Sequence, residues 1–278
     1  MTPEILFDPP PRNLELVNGD THVFCASLDQ PLARLEQFAE MLSADERARA
    51  ARFVFKQDRN RFLAGRGQLR EILGWLLHTK PAQLAFTYGD HGKPLLAAPV
   101  GGRFLYFNLA HSDTIAVCAV SAQHEVGIDI ERVRPIREAE EIATRFFSAS
   151  ENAEWHSLPA GRQMEAFYDL WTGREALVKA VGSGLGEPFG QAEMLLDSGQ
   201  PARLLSPANR ADLFLDFFLH SLTPASGYTV TAATKSAETP YCWKWPAQLT
   251  SPTTHIAFDS QPALRPAHTG RKNCEQGR

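Results

Sequence analysis

Cysteine is scarce and scattered: Cys25, Cys118, Cys242 and Cys274 stand far apart and form no CxxC pair. That spacing argues against a thiol redox motif and against a cysteine-bound zinc site, and a reduced compartment is expected. Long hydrophobic runs are missing as well. The longest apolar stretches, such as Thr114 to Val120, are far too short to cross a bilayer. The opening MTPEILFDPPPR carries acids and prolines where a signal peptide carries basic and then apolar residues. A cytoplasmic protein with no membrane partner is expected. Nor is there an excess of positive charge. Lys and Arg number 28 against 32 Asp and Glu, a formal net charge of −4, which argues against a general nucleic-acid binder.

What remains is an ordinary globular composition, 44% hydrophobic over 278 residues, enough for one large domain or two smaller ones. Charge is unevenly placed within it. From Arg47 to Arg70 the basic residues Arg47, Arg49, Arg52, Lys56, Arg59, Arg61, Arg66 and Arg70 meet a single acid, Asp58. A solvated helix surface accounts for most of them; an anionic ligand or partner accounts for the cluster.

Ser43 followed by Glu46 is a capping-box pattern, so a helix is expected over 43–55 and a second from Asp58 to His78. Phe86 to Tyr88 reads as a short strand and GDHGKP as a turn. Phe104 to Leu109 and Thr114 to Val120 read as a hairpin, and Val126 to Glu131 as the next strand. Helices are expected over 136–146, 149–157 and 162–181, the last ending in GSGLG, a helix stop and not a phosphate cradle. Residues 193–235 return to strands, clearest in LFLDFFLHSL and YTVTAAT. No internal repeat is evident. The pattern favours α+β over a doubly wound sheet.

Chemistry concentrates in four segments. In VGIDIE, Val126, Ile128 and Ile130 share one face of the strand, while Gly127, Asp129 and Glu131 share the other. Two carboxylates so close repel unless a cation lies between them, and magnesium suits their oxygens. A solvent-facing edge strand explains them equally well. In WTGREALVK, Trp171, Glu175 and Lys179 fall roughly on one helix face. There Glu175 could serve a metal or a proton and Lys179 a phosphate, or the two form a surface pair of about 0.3–0.5 kcal/mol. FNLAHSD brings His111 and Ser112 to a turn, and HGKP holds Lys93 between Gly92 and Pro94.

The order of these segments resembles the Sfp-type 4′-phosphopantetheinyl transferase family. The correspondence runs through GKP at 92–94, FNLAHS at 107–112, GIDIE at 127–131, RFFSASE at 145–151 and WTGREALVK at 171–179, and covers roughly 40–235. The resemblance implies two similar α+β halves, 1–126 and 127–246, with the active site in the cleft between them; residues 247–278, rich in proline and threonine and without periodicity, are expected to form a loose tail that has no counterpart in the family. It implies magnesium held by Asp129, Glu131 and Glu175, with Glu175 also the base for the acceptor serine. His111 and Lys179 would meet the phosphates of coenzyme A, Lys93 and Pro94 would lie beside the nucleotide, and Arg49 near the 3′-phosphate. The implied partner is an apo acyl or peptidyl carrier protein, modified by a monomeric enzyme. Two departures stand out. Ala110 replaces a common serine or threonine, with the expected loss of one phosphate hydrogen bond, and Arg174 replaces a common lysine. The rival readings are a magnesium-dependent phosphohydrolase acting on a nucleotide-like substrate and a non-catalytic coenzyme A or carrier-protein binding module.

Overall fold

The computed structural model describes residues 3–17, 19–182, 193–195, 203–205 and 216–246. The expected tail over 247–278 and the GSGLG stretch beyond Gly182 lie outside the described residues.

The chain builds the same unit twice. First comes strand β1 (Thr21–Ser27), then helices α1 (Leu32–Met41), α2 (Ala44–Ala50) and α3 (Lys56–Leu76). A small hairpin, β2 (Phe86–Tyr88) and β3 (Pro94–Leu96), precedes the larger hairpin β4 (Tyr106–Ser112) and β5 (Ile115–Ser121). The second unit opens with β6 (Gly127–Arg132), followed by α4 (Ala139–Phe146), α5 (Ala149–Ser157) and α6 (Ala160–Val181). After the short pair β7 (Glu193–Leu195) and β8 (Arg203–Leu205) it ends in β9 (Phe218–Leu222) and β10 (Tyr228–Thr234). In each unit the last strand lies in the middle, antiparallel to both neighbours: the orders are β1-β5-β4 and β6-β10-β9. A final strand, β11 (Tyr241–Lys244), returns to the first sheet and runs parallel beside β1.

The duplication is also written in the sequence, contrary to the expectation of no repeat. Ser43 and Glu46 open α2 as Ser148 and Glu151 open α5, and in both places the backbone N–H of the serine donates to the glutamate, at 3.0 and 2.6 Å. Both glutamates are buried and tied to the long helix that follows, Glu46 to Arg66 and Arg70, Glu151 to Arg174. The helices carry Arg70-Glu71-Ile72-Leu73 and Arg174-Glu175-Ala176-Leu177. The copies differ at the second of these residues. Glu71 is held by a buried two-oxygen pairing with Arg34 at 2.8 Å, whereas Glu175 lies 3.8 Å from Lys179.

The two sheets lie face to face with their helices outside. Val23, Cys25, Val117 and Ala119 of the first sheet meet Ile128, Ile130, Val230 and Ala232 of the second. Phe24, Phe107, Cys118 and Val120, on the opposite face, bury Leu69, Ile72 and Leu73 of α3. Strand β1 is thus covered on both sides, which is why THVFCAS shows no alternation. At the junction of the halves the outer edge of β6 is satisfied by side chains: the Ile128 N–H donates to Asn108 Oδ1 (2.9 Å) and the Arg132 N–H to Ser112 Oγ (3.1 Å).

The β1–β11 seam contains a buried titratable ring. His22 is 2% exposed, stacks on Tyr241 and accepts a hydrogen bond at Nδ1 from the Trp243 indole N–H (3.0 Å). Burial pushes its pKa down to about 4. The unfolded chain therefore takes up this proton first. The stability held by the neutral ring is complete above about pH 6.5 and is lost as pH falls toward 4, about 3 kcal/mol in all. Urea unfolding between pH 7 and 4.5 is expected to show this slope, and His22→Phe to flatten it. Equal slopes in the two proteins would refute the assignment.

Candidate active site

The site begins with a glycine. A Cβ at Gly127 would stand 1.9 Å from the Ala176 carbonyl oxygen and 2.4 Å from the Ala180 nitrogen, so only glycine lets α6 lie this close to β6. The same strand face that touches the helix at 127 presents Asp129 and Glu131 farther along, as the alternation predicts. They meet α6 where Glu175 and Lys179 stand one turn apart. Lys179 Nζ lies 2.5 Å from Asp129 Oδ1 and 3.8 Å from Glu175 Oε2. Glu131, half-buried, accepts a hydrogen bond from Ser112 Oγ at 2.8 Å.

The three acids share one field. Burial raises the Asp129 pKa to about 7; Lys179 opposes the rise, and the charges of Glu131 and Glu175 add to it. Glu175 is also raised, by burial first, against Lys179 and with Glu131. Three carboxylates thus face one ammonium. Asp129 Oδ2 is buried with no hydrogen-bond partner. Among the described residues no three metal-ligating side chains are drawn into a ready cage, and the Lys179 ammonium occupies the position of the counter-charge. The donor set itself, all carboxylate oxygens with one orphaned acceptor, fits a hard divalent cation.

His111 ends β4 on the surface. Its pKa is lowered, first by the protein packed around it and then by the charges of Lys179 and Arg61. Arg61 is itself held by Asp29 and Asp113. Arg49 lies elsewhere, in a cleft of about 520 Å³ lined by Asp45, Glu46, Arg52, Phe53, Tyr88 and Gly92, with its guanidinium over the Phe62 ring. Pro94 starts β3 opposite Tyr88, beside that cleft. The amine of Lys93 donates to Glu125 Oε2 (2.8 Å), the Lys179 carbonyl (2.8 Å) and the Val126 carbonyl (3.3 Å).

One sequence expectation changes here. Ala110 is 5% exposed within the core shared by the two sheets, so a hydroxyl at this position would face apolar neighbours and not a phosphate. Ala110→Ser is expected to cost about 1–2 kcal/mol of stability and to leave coenzyme A affinity unimproved, read by thermal unfolding and calorimetry. A tighter complex would reverse that view. Arg174 does not reach the acids either: it is buried, paired with Glu151 and stacked over Phe147. The contribution of Ser112 was not assigned from sequence, although its place beside His111 in FNLAHSD was a usable signal.

Two duplicated α+β units carry a carboxylate–lysine cluster at a helix–strand contact and, elsewhere, a cleft lined by Arg49 and Arg52, groups of the kind that serve a cation and an anionic ligand. Comparison with known proteins specifies the family. Residues 125–244 match the 4′-phosphopantetheinyl transferase superfamily, and residues 30–123 the 4′-phosphopantetheinyl transferase N-terminal family. The chain is 42% identical to 4′-phosphopantetheinyl transferase HetI of Nostoc sp., over 70% of this chain and 82% of that one. It is 36% identical to 4′-phosphopantetheinyl transferase psf-1 of Bacillus pumilus, over 71% and 82%. Identity to 4′-phosphopantetheinyl transferase Sfp of Bacillus subtilis is 32%, over 58% and 70%. The chain belongs to the 4′-phosphopantetheinyl transferase superfamily and is an enzyme of the holo-[acyl-carrier-protein] synthase type, transferring phosphopantetheine to carrier proteins. The phosphohydrolase and non-catalytic readings find no support in these relatives. No helix among the described residues is long and apolar enough to cross a membrane.

Proposed function

We propose that coenzyme A is the donor, that a serine hydroxyl of an apo acyl or peptidyl carrier protein is the acceptor, and that the reaction depends on magnesium. The serine oxygen attacks the β-phosphorus of coenzyme A, the bond to the adenosine side breaks, and 3′,5′-adenosine bisphosphate leaves. Such a displacement is governed by positioning and charge neutralisation. Asp129, Glu131 and Glu175 would hold the magnesium, which when bound supplies positive charge at the pyrophosphate. Glu175 takes the serine proton as general base. Lys179 turns from Asp129 to a phosphate once the acids have another counter-charge, and His111 donates from the neighbouring strand end. Arg49 receives the nucleotide in the cleft it lines, with the backbone at Pro94 beside it. The half 1–126 supplies that cleft and the half 127–246 the acids, so one cytoplasmic chain carries both parts.

The observation that carries this reading is the contact of Lys179 with Asp129 across Gly127, with Glu175 one helical turn away. Incubation with coenzyme A, magnesium and a panel of apo carrier proteins is expected to add phosphopantetheine to at least one, read as a mass shift. Release of adenosine bisphosphate without any carrier protein would instead identify a hydrolase.

A further inference from the structure

Helix α6 ends at Gly182, whose left-handed conformation (φ 77°) stops it one turn beyond the active-site lysine. The last carbonyls of a helix have no partner within the helix and carry its negative end. One of these, the carbonyl of Lys179, is taken by the Lys93 ammonium at 2.8 Å. The same ammonium binds the Val126 carbonyl and the Glu125 carboxylate at the entry to β6, and the Lys93 side chain is only 13% exposed. Lys93 thus joins the exit of α6 to the entry of β6 at the level of Gly127, where helix and strand touch most closely. It does so from the opposite half of the protein. The turn that carries it, closed by the Gly89 N–H on the Lys93 carbonyl (3.0 Å), presents Gly92 and the adjoining Tyr88 to the arginine-lined cleft.

We propose that Lys93 is a positioning residue: through the backbone of Lys179 it sets the catalytic helix against the acids of β6 and registers the cleft against the reaction site. The assignment rests on the transferase reading given above. A shift in the Lys179 backbone moves its ammonium relative to Asp129 and to any phosphate, and misplacement of about 1 Å at a reacting group costs up to about 10²-fold in rate.

The test is Lys93→Met, read in three ways. Hydrogen exchange of the free enzyme is expected to quicken in the last turn of α6, residues 179–182, and not in its first turns. Transfer at saturating coenzyme A is expected to fall by about tenfold to 10²-fold, a larger factor than the accompanying loss of coenzyme A affinity read by calorimetry. Weakened coenzyme A binding with unchanged saturated rate would make Lys93 a direct nucleotide ligand and overturn the proposal. Unchanged exchange and rate would overturn it too. If Lys93→Met does not fold, Glu125→Ala is read in the same assays, with smaller changes in the same direction supporting the proposal and none refuting it. The exchange measurement needs neither donor nor acceptor. Absence of transfer in the unaltered enzyme would therefore strike the transferase reading alone.

Discussion

Asp129→Ala and Glu131→Ala are each expected to reduce transfer by at least about 10³-fold, some 4 kcal/mol of transition-state stabilisation, while the protein stays folded. Folding should survive because neither side chain belongs to the apolar core. Asp129 lies on the strand face opposite Ile128 and Ile130, and its carboxylate is desolvated and repelled by two neighbours. Removing it loses one contact to a lysine that is 30% exposed, which is worth little. Removing Glu131 frees Ser112 Oγ, which keeps the Arg132 N–H as a donor. Activity should fall steeply, because each variant removes one of the three ligands proposed for the cation and weakens its hold at the pyrophosphate. Titration of magnesium into each variant, with transfer measured in parallel and in excess EDTA for the unaltered enzyme, checks both parts. Full activity in EDTA would remove magnesium from the mechanism.

Glu175→Gln and Lys179→Ala are expected to fail in different ways. Glutamine keeps the size of Glu175 but cannot accept the serine proton, so coenzyme A should still bind while transfer falls by at least about 10²-fold. Lys179→Ala removes a charge that meets the donor before and during transfer, so binding and turnover should fall together. It also leaves Asp129 without its cation, and Asp129 should then hold its proton more tightly. Calorimetry with coenzyme A and a carrier-protein mass-shift assay separate the two patterns. Normal turnover by both variants would mean that α6 carries no chemistry.

Much of this site was legible before any fold was known. Period-two alternation separates Asp129 and Glu131 from Ile128 and Ile130, and helical spacing places Glu175 and Lys179 on one side of α6. The capping boxes at Ser43 and Ser148 mark helix starts that the structure confirms. The repeat was missed although traces of it are written in the sequence, because only two capping boxes and a short Arg-Glu-x-Leu helix signature survive in copies that otherwise differ. Ala110 was misread because a strand residue shows which face it shares but not what covers that face.

The sequence alone determined most of the elements between α2 and α6 and the residue types of the candidate site, because caps, periodicity and like-charge proximity act over a few residues; it did not show β1, α1 or β11. Only the tertiary structure decided how the copies of the repeat were used. Glu71 is spent on Arg34, 37 residues away, while Glu175 faces the strand of Asp129. It also decided that Tyr241 pairs with His22 and that Lys93 grips a helix end 86 residues downstream. These contacts join segments whose separation along the chain leaves no local signal. They form only because the two sheets, packed face to face, bring their edges and helix ends into reach.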